Sequence, residues 1–102
     1  MAEIDQLAAL RTRFIVRLSA DAERLTELSG TDGGDPQIID IVHKLAGLAG
    51  MLGFAEISRI ANQLDAAYGP AAGAGIGADH RLGTLIGQIR SDTSINPGGS
   101  DD

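Results

Sequence analysis

The sequence contains no cysteine, and aromatic residues make up only 3% of it. The missing cysteines exclude a disulfide framework and any metal site built from thiolates. The aromatic residues are Phe14, Phe54 and Tyr68, so the hydrophobic core must be built from aliphatic side chains. No cluster of rings is available to line a substrate pocket, which makes an enzyme with an enclosed site a poor fit to this composition.

Long apolar runs and an excess of positive charge are also missing. No run approaches the roughly 18 apolar residues that a membrane span requires. The first ten residues, MAEIDQLAAL, lack the basic start and apolar centre of a secretory signal. The net charge of −6 argues against a nucleic-acid-binding protein and against docking on anionic lipid. We therefore expect a cytoplasmic protein whose partners include neither nucleic acid nor membrane.

What the chain does contain is helical periodicity over most of its 102 residues. In the first segment, apolar residues recur at spacings of three and four, which predicts one face of an amphipathic helix. The pattern fits one long helix, or a short helix that leads into a longer one. The stripe consists of Ile4, Leu7, Leu10, Phe14, Leu18, Ala22, Leu25 and Leu28.

Three further helices are predicted after the turn SGTDGG (29–34). Asp35 is a suitable N-cap and Gly53 a suitable C-terminal stop for the second helix, and Asp79 is a suitable N-cap for the fourth. The connection GPAAGAGIG (69–77) is interpreted as a flexible loop. The predicted fold is an all-α, antiparallel up-down-up-down four-helix bundle over residues 1–92, with a disordered polar tail over residues 93–102. The predicted helices after the first are Pro36–Leu52, Ala55–Tyr68 and His80–Arg90.

The second helix carries a histidine among three glycines, in the stretch HKLAGLAGMLGF (43–54). At about 100° per residue, His43 lies roughly 140° from the apolar seam and therefore faces solvent. Gly47 falls on almost the same line, and Gly50 lies on the same flank, nearer the core. A bulky side chain at position 47 would lean toward the helix N-terminus, over the imidazole. Two costly glycines thus predict an uncovered, solvent-facing imidazole on a rigid helix.

A simpler interpretation stays open at this point. An exposed histidine is often only a polar surface residue, as His80 is expected to be, and mid-helix glycines also serve close helix packing. Other chemistries fit less well. Two histidines on different helices without cysteine make a poor metal set, so no metal site is predicted. GAGIG (73–77) lacks the strand and spacing of a phosphate-binding loop, and Asp32 and Asp35 are turn and cap residues.

At these residues the sequence resembles the histidine-containing phosphotransfer (HPt) domain family. Its motif has a histidine, an aliphatic residue two positions later, a lysine, and then a glycine, with a second glycine further on. Here His43 is followed by Leu45, by Gly47 at the fourth position and by Gly53 at the tenth. The resemblance covers most of residues 9–68, and the last helix fits in kind.

The resemblance implies specific roles for residues around the histidine. His43 would be the phospho-accepting residue. Asp65 occupies a place where many members have Glu or Gln, and would orient the imidazole directly or through a water. The usual lysine is replaced by Ala46, so Lys44 is the candidate for supporting the phosphate charge, although it lies about 100° around the helix. The family needs no cofactor of its own, and Mg²⁺ is expected on the receiver partner.

The function implied is the relay of a phosphoryl group between receiver-domain aspartates in a two-component phosphorelay. The partners would be a response-regulator receiver domain and/or a hybrid histidine kinase, and the protein would be a monomeric phosphoryl carrier rather than an enzyme. Leu48 and Met51, with Gly47 and Gly50, would form the surface on which the partner docks. Alternatively, Leu48 and Met51 fill a groove to a neighbouring helix.

Two rival functions remain. The first is a degenerate HPt-like module that binds a receiver or kinase and regulates it without phosphotransfer. Ala46 in place of lysine favours this rival, whereas His43 and the glycines favour transfer. The second is a helical interaction domain unrelated to signalling.

Overall fold

The computed structural model describes the backbone of residues 2–94 and the side chains of residues 6–94. Within this range the chain forms four α-helices, two short 3-10 helices and no strand. The α-helices pack as an antiparallel up-down-up-down bundle, which confirms the predicted fold class. They are α1 (Ala2–Ser29), α2 (Asp35–Met51), α3 (Ala55–Tyr68) and α4 (His80–Thr93), with 3-10 turns at Gly69–Ala71 and Ile76–Ala78.

Helix α1 is one continuous helix of 28 residues, without a separate short helix before it. It is much longer than α2, which has 17 residues, and than α3 and α4, which have 14 each. Among the stripe residues whose side chains are described, Leu7 and Leu10 are 51% and 50% exposed, and the stripe is buried from Phe14 onward. The periodicity correctly predicted which face of α1 is apolar. It did not predict where along α1 the shorter helices stop covering that face.

The core is aliphatic, as the composition predicts. Each helix buries the residues that recur at spacings of three and four, and no polar or charged residue of the described part is fully buried. The rings of Phe14 and Phe54 meet with their centroids 5.5 Å apart and close one end of the bundle. The largest fully enclosed side chains are Leu18, Leu25, Ile38, Val42, Leu45, Ile57, Leu64, Ile76, Leu82, Leu85 and Ile89.

Helix α2 ends at Met51, one residue before the predicted boundary, and Gly53 turns the chain into α3. Gly53 has φ +89°, in the left-handed region that glycine adopts without strain. The Phe54 amide donates to the Ala49 carbonyl at 2.8 Å, which closes the C-terminal turn of α2. The tight turn places α3 directly against α2.

The prediction that Asp35 caps α2 was wrong. Asp35 is the first residue of the helix, Gly34 takes the capping position, and no side chain caps this end. The Asp35 carboxylate instead accepts hydrogen bonds from the amides of Gly75 and Gly77, at 2.9 and 3.0 Å. The carboxylate is thus bound by two amides of the distant α3–α4 connection rather than by the local helix end.

The prediction that residues 69–77 form a flexible loop was also wrong. The segment contains a 3-10 turn and the start of a second one, and Ile76 is fully buried in the core. Gly73 passes so close to α2 that a Cβ there would lie 2.6 Å from the Asp35 carbonyl oxygen. Gly73, and Gly77 beside Asp35 and Ile38, therefore allow close packing against α2.

Asp79 caps α4 as predicted, with its carboxylate accepting from the Arg81 amide at 2.7 Å. The helix continues to Thr93, three residues beyond the predicted end at Arg90. The boundary proposed at residues 92 and 93 therefore falls in the last turn of α4, and Thr93 belongs to the helix rather than to a disordered tail. The remainder of the predicted tail, from residue 95, lies outside the described residues.

The environment of Asp79 leads to a prediction about acid stability. The Arg81 guanidinium, the Tyr68 hydroxyl and the Arg81 amide all donate to its carboxylate and hold the pKa of Asp79 well below its usual range. The unfolded chain takes up this proton near pH ~3.9. The resulting stabilisation is therefore complete above about pH 5 and is lost progressively as the pH falls below that value.

We expect Asp79→Asn, which keeps the helix cap but removes the charge, to be less stable at pH 7 and to lose less stability between about pH 4 and pH 2. Urea unfolding over a pH series measures both effects. An acid-side slope equal to that of the unaltered protein would contradict this assignment.

Candidate functional site

His43 lies in the middle of α2 on its solvent side, as the helical wheel predicts. Its side chain is 73% exposed, whereas Val42 and Leu45 beside it are fully buried. The imidazole is thus carried by a helix whose opposite face is fixed in the core. A ring in this position is accessible to another protein, yet its backbone is held rigidly.

Asp65 on α3 contacts the His43 ring directly. Its Oδ2 atom lies 3.0 Å from His43 Nδ1, and its side chain is 28% exposed. A carboxylate accepts a hydrogen bond, so this contact favours the tautomer that carries its proton on Nδ1. That tautomer leaves the lone pair of Nε2 free, and Nε2 becomes the nucleophilic nitrogen. No water is needed to bridge the two groups.

Gly47 leaves open space one turn after His43. A Cβ placed on it would meet no atom within 4 Å. No other part of the described chain therefore requires glycine here for packing. Since a side chain at this position would lean toward His43, the missing side chain keeps the ring uncovered.

Gly50 lies differently, on the side of α2 that faces α3. A Cβ at this position would be 3.1 Å from Ser58 Oγ, closer than side chains normally approach. Its missing side chain is thus used in helix packing in addition to leaving the histidine's flank open. The sequence alone could not separate these two uses.

The sequence left two possibilities for Leu48 and Met51, a docking surface for the partner or the filling of a groove to a neighbouring helix. The structure places the two residues differently. Met51 is 80% exposed, the most exposed large hydrophobic residue in the described part of the chain. Leu48 is half-buried and packs against the core. His43, Gly47 and Met51 follow one another at intervals of four residues. Each interval rotates the side-chain direction by only about 40° around the helix axis, so the three residues form one ridge on the outside of α2.

Lys44 is not directed at the histidine. Its Nζ atom pairs with Asp40 Oδ2 at 3.1 Å, one turn earlier on α2. On the α1 side, burial raises the pKa of Asp21, and the charges of Arg17 and Lys44 partly offset this effect. The charge of Lys44 thus acts toward α1, on the opposite side of α2 from Asp65.

Ala46 occupies the position where the resemblance leads us to expect a lysine, and it is buried with 8% exposure at the α2–α3 contact. Its carbonyl accepts a hydrogen bond from Ser58 Oγ at 3.0 Å. No cationic side chain therefore extends from this position toward the ring, and the sequence and the structure agree on that departure.

Ser58 and Asn62 were not predicted as site residues from the sequence. Asn62 Nδ2 donates to Ser58 Oγ at 3.2 Å, which extends the polar contacts along the α2–α3 groove. The spacing of Ser58, Asn62 and Asp65 by four and three places all three on one face of α3. That polar stripe was the available signal, and it runs beside the histidine's helix.

The described residues hold no group of three His, Cys, Asp or Glu side chains that could bind a metal ion. None of the helices in residues 2–94 combines the length and the apolar character that crossing a membrane would demand.

Comparison with known families gives one match. The family model described as the Hpt domain matches residues 9–92, which includes His43, Asp65 and most of all four helices. Neither the curated proteins nor the solved structures include a significant match. Because the match spans most of the chain and the helices form the bundle that the family requires, the chain belongs to the Hpt domain family.

Proposed function

We propose that His43 is the phospho-accepting residue and that the protein relays a phosphoryl group between receiver-domain aspartates. The Hpt family carries out histidine phosphotransfer in phosphorelays. The observation that carries the assignment to His43 is its geometry: an exposed ring on a fixed helix, with Nδ1 held at 3.0 Å by Asp65. Nothing comparable surrounds His80, whose Nδ1 atom lies 3.8 Å from Asp79.

In this mechanism the lone pair of Nε2 attacks the phosphorus of an aspartyl phosphate on the receiver. The Nε2–P bond forms while the bond from phosphorus to the carboxyl oxygen breaks, and the receiver's carboxylate leaves. The ring gains positive charge while its proton stays on Nδ1, where the Asp65 carboxylate stabilises it. Transfer to the aspartate of a second receiver reverses these steps.

The partner supplies the remaining chemistry. Mg²⁺ on the receiver would neutralise charge on the phosphoryl oxygens. This chain contributes a nucleophile and a surface that admits the receiver. Met51 would provide an apolar contact, and Gly47 would leave a gap between Met51 and His43. Such a role fits a monomeric carrier that works alongside receivers in the cytoplasm, with a hybrid kinase as a further partner.

The second candidate is a module that binds a receiver or kinase without taking its phosphate. Two observations favour it: Ala46 stands where the family has lysine, and Lys44 is engaged by Asp40. Such a module would use the same ridge of α2 but would leave the partner's phosphorylation state unchanged.

The two functions are separated by incubating the protein with a panel of receiver domains carrying ³²P-aspartyl phosphate and Mg²⁺. The relay function predicts label on this chain in a linkage that is labile to acid and stable to base, as a phosphohistidine is. A receiver that binds tightly by calorimetry, yet transfers no label, would contradict the relay and support the binding module.

A further inference from the structure

Helices α2 and α3 approach each other through small residues at the level of the site. Ala46, Ala49 and Gly50 of α2 face Ser58 and Ala61 of α3, and the three alanines are buried. Small residues at a helix contact bring the two backbones closer than larger ones would. The separation of the helices decides how far a side chain on α3 must reach to contact α2.

The contact between Gly50 and Ser58 lies on the same seam as the contact between His43 and Asp65. Gly50 follows His43 by seven residues, and Ser58 precedes Asp65 by seven. In an antiparallel pair these equal steps place the two contacts along one line, about 10 Å apart. A change in spacing at Gly50 is therefore transmitted along two helical turns to the histidine.

Ser58 is fixed where it meets Gly50. Its hydroxyl donates to the Ala46 carbonyl at 3.0 Å and accepts from Asn62 Nδ2 at 3.2 Å. A Cβ at position 50 would lie 3.1 Å from this oxygen. Because two hydrogen bonds hold the hydroxyl in place, we expect part of the few tenths of an ångström that the added methyl group needs to come from α3 moving away from α2.

We propose that Gly50 is a positioning residue: it holds α3 close enough to α2 for Asp65, the shortest acidic side chain, to contact His43 Nδ1 directly. The proposal gives Gly50 a role distinct from that of Gly47, which has open space around it. It deepens the proposed function, since the contact that Gly50 secures selects the nucleophilic nitrogen of His43. The contact itself can be measured without any phosphoryl transfer.

The test measures which ring nitrogen of His43 carries the proton when the imidazole is uncharged. The ¹⁵N chemical shifts of the two ring nitrogens report this ratio. In Gly50→Ala we expect the ratio of the Nδ1–H form to the Nε2–H form to fall roughly 2- to 10-fold, the factor that one net hydrogen bond contributes. Gly83→Ala on α4 is the matched control. A Cβ at Gly83 meets no atom within 4 Å, so α4 gains the same methyl group without a clash.

Two second-site changes distinguish positioning from general disturbance. Adding Ser58→Ala to Gly50→Ala removes the clashing oxygen and leaves the Ser58 Cβ position at 3.8 Å, an ordinary contact. We expect this pair to return the tautomer ratio to that of Ser58→Ala alone. Adding Asp65→Glu to Gly50→Ala lengthens the acid by one methylene and should restore the contact across the wider gap.

The proposal is overturned if Gly50→Ala keeps the original ratio, or if Ser58→Ala leaves the double variant as low as Gly50→Ala. Phosphorylation assays on the same variants keep the two ideas separate. A chain that takes no label but shows these tautomer changes contradicts only the relay. A chain that takes label with an unchanged ratio in Gly50→Ala contradicts only the role of Gly50.

Discussion

Replacing His43 with glutamine is expected to abolish uptake of label from a phosphorylated receiver. Glutamine keeps a polar, helix-compatible side chain but has no nucleophilic ring nitrogen. Since the side chain is 73% exposed and buries little, the fold should be preserved, with an unchanged far-UV circular dichroism spectrum. The measurement is the radioactivity retained on the chain after separation from the receiver.

His80→Gln is the control for this experiment. His80 is the chain's other histidine; it is 91% exposed at the start of α4, and it also has an aspartate neighbour. We expect this variant to take up label as the unaltered protein does. Label that persists in His43→Gln, or disappears in His80→Gln, would show that His43 is not the acceptor.

Replacing Gly47 with leucine is expected to slow transfer by about 10- to 100-fold, because a displacement of about 1 Å at the reacting atoms is enough to cost that much. The leucine side chain would lean over His43 and hold the receiver away from Nε2. The same change should stabilise the fold by about 0.5–1 kcal/mol, since leucine is a far better helix former than glycine. Stability and activity would therefore move in opposite directions.

Rapid-quench measurement of transfer, together with urea unfolding, tests both parts of this expectation. Gly87→Leu provides the comparison, because a Cβ at Gly87 likewise meets no atom within 4 Å and α4 packs mainly against α1 and α3 rather than against the histidine's helix. It should raise stability without slowing transfer. Unaltered transfer in Gly47→Leu would mean that the open space beside the imidazole has no role in admitting the partner.

The helices were predictable because each one encodes its own buried face. The predicted bounds of α3 agree with the structure at both ends, from Ala55 to Tyr68, because Gly53 and Gly69-Pro70 mark its limits locally. The start of α2 was misassigned, because Asp35 binds amides about forty residues away and only the folded chain brings them together. Ile76, one apolar residue in a glycine-rich segment, was the sole local sign that this connection is packed.

The same distinction between local sequence signals and contacts made only in the folded chain applies to the site. His43, Gly47 and the approximate place of Asp65 follow from helical spacing and from a short motif, which are properties of single helices. The direct contact of Asp65 and the packing role of Gly50 depend on the distance between two helices. That distance depends on residues of both helices, with Gly50 on α2 facing Ser58 on α3, so no pattern within α2 alone reports it.

The carboxylate of Asp35 has a consequence for where the protein can be altered. A connection between helices is normally the place that best tolerates inserted residues or labels. Here Asp35 binds the amides of Gly75 and Gly77, and Gly73 lies against α2 without room for a side chain. An insertion within residues 73–77 would therefore break the two hydrogen bonds that join the start of α2 to this connection. The turn at residues 30–33, where all four residues are exposed, is the better position for a probe.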